Sequence, residues 1–143
     1  LADTGGDFDA VVAGVGTSGT LTGISSVLRT YNQDIKVYAV EPSTSSVLSG
    51  GDKGAHKIQG IGAGFVPIFY DETLVDEVIK VDDEEAIEMA KLVAKTDGLS
   101  IGISAGASIK AAVDLAKRKD FANKRIVVII PDSVERYLST GYF

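Results

Sequence analysis

The chain of 143 residues has no cysteine and no tryptophan, and only one histidine, one methionine and three prolines. Without cysteine there can be no disulfides, thiolate metal sites or cysteine nucleophiles. A single histidine, His56, removes most zinc and catalytic-triad arrangements as well, so no metal site is expected. Basic residues are also scarce: 14 Lys and Arg face 20 Asp and Glu, a formal charge of −6. Such a balance argues against nucleic acid as a partner, because an anionic backbone needs a basic footprint. The one basic run, Lys117-Arg118-Lys119, falls where a helix should end and suits the helix dipole. No apolar run is long enough to cross a bilayer and no signal-peptide layout is seen, so the expectation is a soluble cytoplasmic chain without membrane contact.

What is present is a hydrophobic fraction of 45%, enough for one globular domain spanning 1–143. Its first strand is expected within about ten residues of Leu1, and the chain reads as part of something longer. Phe8 to Val15 forms that strand. It stops at Gly14-Val-Gly16-Thr17-Ser18-Gly19-Thr20, after which Leu21, Ile24, Leu28 and Tyr31 recur at helical spacing up to Asn32. Glycines that let the backbone approach a ligand, hydroxyls that donate, and the free N–H groups of a first helical turn together define an anion site. The same letters also fit the dinucleotide fingerprint, with Glu41 placed for a ribose hydroxyl.

Ile35 to Val40 is a second strand, apolar apart from Lys36, as a parallel strand covered on both faces would be. Ser43 to Ser46 caps a short helix through Leu48. The segment Ser49 to Pro67 contains six glycines and no period, which suits a functional loop or a disordered excursion. Val75 to Val81 is a third strand, and Asp82-x-x-Glu85 is a capping box for a helix ending at Asp97-Gly98. The four acids Asp82 to Glu85 favour the positive helix end and need no catalytic role. Gly98 to Gly106 is a second glycine-hydroxyl turn. It opens a helix with Ala105, Ile109, Ala112, Val113 and Ala116 on its inner face, whose small residues imply very close packing. Ile126 to Ile130 is a buried strand ending at Pro131-Asp132-Ser133. Asp132 is a candidate N-cap with Glu135 as its partner, and Ser133 places a hydroxyl at the carboxyl edge of the sheet.

Gly16-Thr-Ser-Gly-Thr20, Val40-Glu-Pro-Ser43, Ser46-Val-Leu-Ser-Gly-Gly51, His56-Lys-Ile-Gln-Gly-Ile-Gly-Ala-Gly-Phe65 and Pro131-Asp-Ser133-x-Glu-Arg-Tyr-Leu-Ser-Thr140 together resemble the carboxyl-terminal half of the cysteine synthases (O-acetylserine sulfhydrylases). These are fold-type II enzymes that use pyridoxal 5′-phosphate. The resemblance implies an α/β fold, a three-layer parallel-sheet (Rossmann-like) domain, incomplete in this chain. It implies that Gly16, Thr17, Ser18, Gly19 and Thr20 hold the cofactor phosphate, that Ser133 bonds the pyridine nitrogen, and that Gly60, Ile61 and Gly62 lie beside the substrate. A neutral hydroxyl on that nitrogen leaves the ring a weaker electron sink than a carboxylate would.

The implied reaction is β-replacement, in which O-acetyl-L-serine and sulfide give L-cysteine and acetate through an α-aminoacrylate, in a cytoplasmic homodimeric transferase of amino-acid biosynthesis. The family's Schiff-base lysine and its substrate-carboxylate loop have no counterpart among Lys36, Lys53, Lys57 or elsewhere. No catalytic residue is therefore expected in this chain, which should bind but not turn over. Ser18 stands where many members have glycine and is expected to add a donor. His56 is expected to pack the loop. A cystathionine β-synthase-like core, or a non-enzymatic module binding the tail of serine acetyltransferase, are the other readings.

Overall fold

The computed structural model describes residues 1–143. Its sheet is built from β1 (Ala10–Gly14), β2 (Lys36–Pro42), β3 (Glu77–Val81) and β4 (Ile126–Val128), in the order β3-β2-β1-β4. Every pairing is parallel. Helix α1 (Gly19–Tyr31) connects β1 to β2, and α2 (Asp83–Asp97) and α3 (Ile103–Ala116) lie between β3 and β4. The pleat sorts the strand residues between two cores: Val11, Ala13, Val37 and Ala39 pack with Leu21 and Leu28 of α1. Ala10, Val12, Tyr38 and Val40 pack with Ile87 of α2 and Ile103, Ala107 and Leu115 of α3. Three layers result, as expected for parallel strands buried on both faces.

Local signals act where they stand. Asp82 and Glu85 form a reciprocal capping box at the start of α2, and Gly98 ends the helix at φ 70°. The buried face of α3 is wider than the expected one. It runs from Ile103 through Ser108 and on to Ala111, Ala112 and Leu115, while Ile109 and Val113 are half-buried and Ala116 is exposed. The helix is wedged between the sheet and α2, so its first two turns have almost no free side. A Cβ on Gly106 would sit 2.2 Å from the Ala86 carbonyl oxygen, so α2 and α3 touch backbone to backbone.

Strand β4 is shorter than the expected Ile126 to Ile130, and its three residues are only half-buried. It lies at the edge of the sheet with β1 as its one neighbour, which leaves it less covered than the central strands. The short helix expected after Ser43 is two separate 3-10 turns, Ser43–Ser45 and Val47–Ser49. The glycine-rich segment has no regular structure, yet it is pinned along its length. The Thr44 hydroxyl donates to Ala55 O, the Lys57 N–H donates to Asp83, and Ile58 is fully buried. The disordered alternative is thereby set aside.

Arg29 ties α1 to the segments that lead into β2 and β3. Its guanidinium donates to Ile35 O at 3.0 Å, Leu74 O at 3.1 Å and the Asp76 carboxylate at 2.7 Å, and Asp76 also accepts from Val37 N–H at 2.8 Å. Partial burial raises the Asp76 pKa, but the Val37 N–H and Arg29 outweigh it and hold the carboxyl below the usual range. Because the folded pKa is the lower one, this stabilisation is complete above the ordinary aspartate pKa and is lost as the pH falls through the folded value. Asp76→Asn should lower stability at neutral pH and flatten its acid dependence below about pH 4, as read by denaturant titrations. Gly106→Ala should destabilise by about 1–3 kcal/mol, because helix backbone cannot yield to the new methyl; an unchanged melting temperature would contradict the close contact.

Candidate active site

The strand order reverses at β1. From β1 the chain moves outward through β2 and β3, and then returns to place β4 on the other side. Connections leaving in opposite directions open a crevice beyond the carboxyl ends of β1 and β4, where open α/β sheets bind ligands. A cavity of about 280 Å³ lies there, lined by Gly14 of β1, Gly16 to Leu21, Gln59 to Ile61, Ser104 and Ser108 of α3, and Pro131, Asp132 and Arg136 beyond β4.

All five residues expected to hold an anion line this cavity. Gly19 opens α1, so the first-turn N–H groups have no acceptor within the helix and face the turn. Thr17 and Thr20 are exposed toward it. Ser18 behaves differently from expectation. Its backbone is left-handed at φ 69° and its side chain is buried. Thr22 gives its hydroxyl proton to Phe69 O at 2.7 Å, so at the 3.0 Å Ser18–Thr22 contact Ser18 is the donor. The Ser18 side chain is thus committed to α1 and adds no donor to the cavity.

The glycine-rich loop forms the facing wall. A Cβ on Gly16 would lie 2.3 Å from Gly60 O, so these two backbones meet with no room for a side chain. Gly62 N–H donates to Val15 O at 3.0 Å, fastening the loop to the end of β1. Gly60 and Ile61 line the cavity, whereas Gly62 turns away at φ 64° and its carbonyl contacts His56 Nε2 at 2.8 Å. The His56 Nδ1 accepts from Ile58 N–H, which assigns the proton to Nε2 as donor to Gly62. His56 is a loop-packing residue, as expected.

Beyond β4, Ser133 does not line the cavity. It precedes a 3-10 turn, Val134–Arg136, and its hydroxyl lies against the exposed Glu135 carboxyl, which it holds below the usual range. Asp132 does not cap a helix. Its Oδ2 accepts the Tyr137 hydroxyl, its backbone oxygen accepts Gly102 N–H at 3.2 Å, and its Oδ1 is buried without a partner. Tyr137 is 4% exposed. Burial first, then the Asp132 carboxylate, push its phenol up to about 12. The hydroxyl that does line the cavity from this side is Ser104, 3% exposed in the first turn of α3, with Ser108 one turn further on. The sequence carried its signal as the second glycine-hydroxyl turn, Gly98 to Gly106.

Glu41, the candidate ribose ligand, is 1% exposed and accepts from Leu48 N–H at 2.8 Å, Ser49 N–H at 3.1 Å and the Ser49 hydroxyl. It caps the Val47–Ser49 turn, and nothing of it is left for a ribose.

Taken as a cradle, the cavity suits a phosphomonoester that carries a flat ring. Backbone N–H groups and threonine hydroxyls collect at one helix N-terminus, glycines keep the walls low, and further hydroxyls stand at a second helix N-terminus. Residues 1–132 match the family model described as pyridoxal-phosphate dependent enzyme, and the chain belongs to that family. Among curated relatives, a cysteine synthase of Buchnera aphidicola is 49% identical over 99% of this chain and 46% of its own length. One of Staphylococcus aureus is 47% identical over 97% of this chain and 44% of its own. The crystal structure of O-acetyl serine sulfhydrylase isoform 3 from Entamoeba histolytica superposes with a TM-score of 0.98 at 46% identity, covering 99% of this chain and 42% of that one. The chain thus spans about half the length of the relatives it matches.

Two variants separate the roles of the turn. Gly16→Ala should displace the Gly60 loop, lose about 1–3 kcal/mol of stability and abolish phosphate binding. Ser18→Gly trades left-handed strain for glycine's entropy and should change stability by no more than about 1 kcal/mol. Its phosphate affinity, read by calorimetry, should stay within about twofold of the parent; a tenfold loss would mean that the Ser18 hydroxyl serves the anion.

Proposed function

We propose that the protein carrying this chain is a cysteine synthase, converting O-acetyl-L-serine and sulfide to L-cysteine and acetate, and that these residues supply the half of its site that holds pyridoxal 5′-phosphate. The observation that supports this best is the cavity at the strand reversal, walled by the phosphate turn and the glycine loop, in a chain about half identical to cysteine synthases from end to end. Gly16, Thr17, Gly19 and Thr20, with the backbone of Ser18, bind the phosphate dianion through neutral donors. Ser104, in place of Ser133, presents the hydroxyl for the ring nitrogen, and Ser108 supports it by donating to Ser104 O at 3.1 Å. Gly60 and Ile61 leave space for the substrate beside the ring. When bound, the cofactor withdraws electrons from the substrate α-carbon, which is what allows a β-substituent to leave and a nucleophile to replace it.

No lysine lines the cavity. Lys36 pairs with Asp76 and Lys57 with Glu84. The covalent attachment and the proton transfers at the α-carbon belong to the remainder of the enzyme, and this chain's part is binding and orientation. The same reading takes the whole protein as a cytoplasmic homodimer that can receive the tail of serine acetyltransferase in its cleft.

Assay of the whole protein with O-acetylserine and sulfide should yield cysteine, and Thr20→Ala should raise the cofactor dissociation constant about tenfold, as expected for one charge-assisted hydrogen bond. Product only from serine with homocysteine would transfer the assignment to a cystathionine β-synthase. No product from either pair, with no saturable cofactor binding, would leave only a peptide-binding module.

A further inference from the structure

The glycine loop is held from behind by one side chain. His56 is the only histidine in the sequence, it is half-buried, and both of its ring nitrogens meet backbone. Nδ1 accepts from the N–H of the fully buried Ile58 at 3.2 Å, and Nε2 donates to Gly62 O at 2.8 Å. The same Gly62 donates its N–H to Val15 O at 3.0 Å, just past the end of β1 and next to Gly16. Gly62 is thus bonded on both sides, to the strand that leads into the phosphate turn and to the imidazole. It has no slack: a Cβ on Gly62 would fall 2.6 Å from Pro42 Cγ and 2.8 Å from His56 Nε2. Two residues earlier, Gly60 O stands against Gly16.

We propose that His56 is a positioning residue for the anion site: through Gly62 it seats Gly60 against the phosphate turn, and it does so only as the neutral imidazole. The inference rests on the phosphate reading above. A neutral ring with its proton on Nε2 offers one donor and one acceptor, which are the two groups the loop engages. The imidazolium carries N–H on both nitrogens, so its Nδ1 would face the Ile58 N–H donor to donor. Ile58 is anchored in the core. The ring therefore has to move, and its bond to Gly62 goes with it.

No charged side chain is bonded to the imidazole. Lys57, next in the chain, pairs with Glu84 of α2 and lies over the Tyr142 ring, and Lys53 lies beside Gly64. At the start of α2, Asp83 accepts the Lys57 N–H, Asp82 accepts the Ser43 hydroxyl and Glu85 accepts the Asp82 N–H. Glu41 of β2 is taken up by the Val47–Ser49 turn. These groups act on the ring through space, whereas the clash of donors acts by contact. A bound anion separates the two effects. By charge alone it favours the imidazolium, but an anion that needs the seated loop favours the neutral ring.

The test uses the whole protein freed of cofactor and follows the His56 ring signals by NMR, assigned through the backbone, from about pH 8 to about pH 5. Saturating inorganic phosphate should move the midpoint of ring protonation down by about 0.7 pH unit, which corresponds to an about fivefold tighter hold on phosphate by the neutral form. Calorimetry should return the same factor. His56→Asn keeps an acceptor for Ile58 N–H but is too short to reach Gly62 and does not titrate. It should bind phosphate about fivefold more weakly than the parent at about pH 8 and equally at about pH 5, a ratio from which the phosphate's own change of charge cancels. A midpoint that stays or rises, or a deficit that is absent at the higher pH or persists at the lower, would overturn the inference and leave the cofactor reading intact. No phosphate binding at any pH would also overturn it, and if pyridoxal phosphate fails to bind as well, the cofactor reading falls with it.

Discussion

The approach of Gly16 to Gly60 governs the rest of the site. Two loops far apart in sequence meet there backbone to backbone, at a separation that would put any Cβ on Gly16 within 2.3 Å of a carbonyl oxygen. One loop brings the helix N-terminus that attracts an anion. The other, fastened by Gly62 N–H to Val15 O, brings the wall that shapes the space beside it. Without the contact the first would be an open turn of the kind found in many α/β proteins, and the second a long glycine-rich excursion. Held together they enclose a cavity with donors at one end. The same crowding explains why a segment without secondary structure can be ordered: its buried Ile58, its bonded His56 and its hydrogen bonds to β1 and α2 replace the missing ladder.

Much of this architecture was legible because its causes are local. The capping box at Asp82, the Gly98 stop and the apolar period of α1 sit in the residues that they control, and structure follows them closely. The parallel sheet was legible from strands that are apolar on both faces and separated by helices. Ser18 stands in the turn, but its side chain is engaged away from the cavity. Its hydroxyl is taken by Thr22, whose own proton goes to a carbonyl 47 residues away, and no local pattern records that chain of donors. Which hydroxyl faces the cavity from the β4 side has a similar origin. Ser133 follows the last strand at the right edge of the sheet, but a 3-10 turn faces it toward Glu135, and the cavity is reached by Ser104 instead. Which of two serines faces a shared space is set by how α3 packs on the sheet and on α2, which is non-local information.

The half-burial of β4 belongs with these cases. A run of five apolar residues suggested a fully covered strand, and the structure has three half-buried residues at the sheet edge. The sequence reports what a strand is prepared to bury. What actually covers it depends on its neighbours, and β4, at the sheet edge, has only β1 beside it.

For a chain of net charge −6 to bind an anion, as proposed, local fields must act, since its overall potential opposes the ligand. The fold offers mainly partial charges for this, Arg136 being the one side-chain cation in the cavity wall. Two helices, α1 and α3, point their amino ends into one cavity, and their N–H dipoles act at short range, where screening and net charge matter least. The single carboxylate in the wall, Asp132, sits beside the start of α3, where Tyr137 donates to its Oδ2 and the Gly102 N–H to its backbone oxygen. Tyr137 and the Gly102 backbone prevent it from swinging into the phosphate turn. The wall thus combines neutral donors of the Gly16 to Thr20 turn with the charged side chains of Asp132 and Arg136 beyond β4.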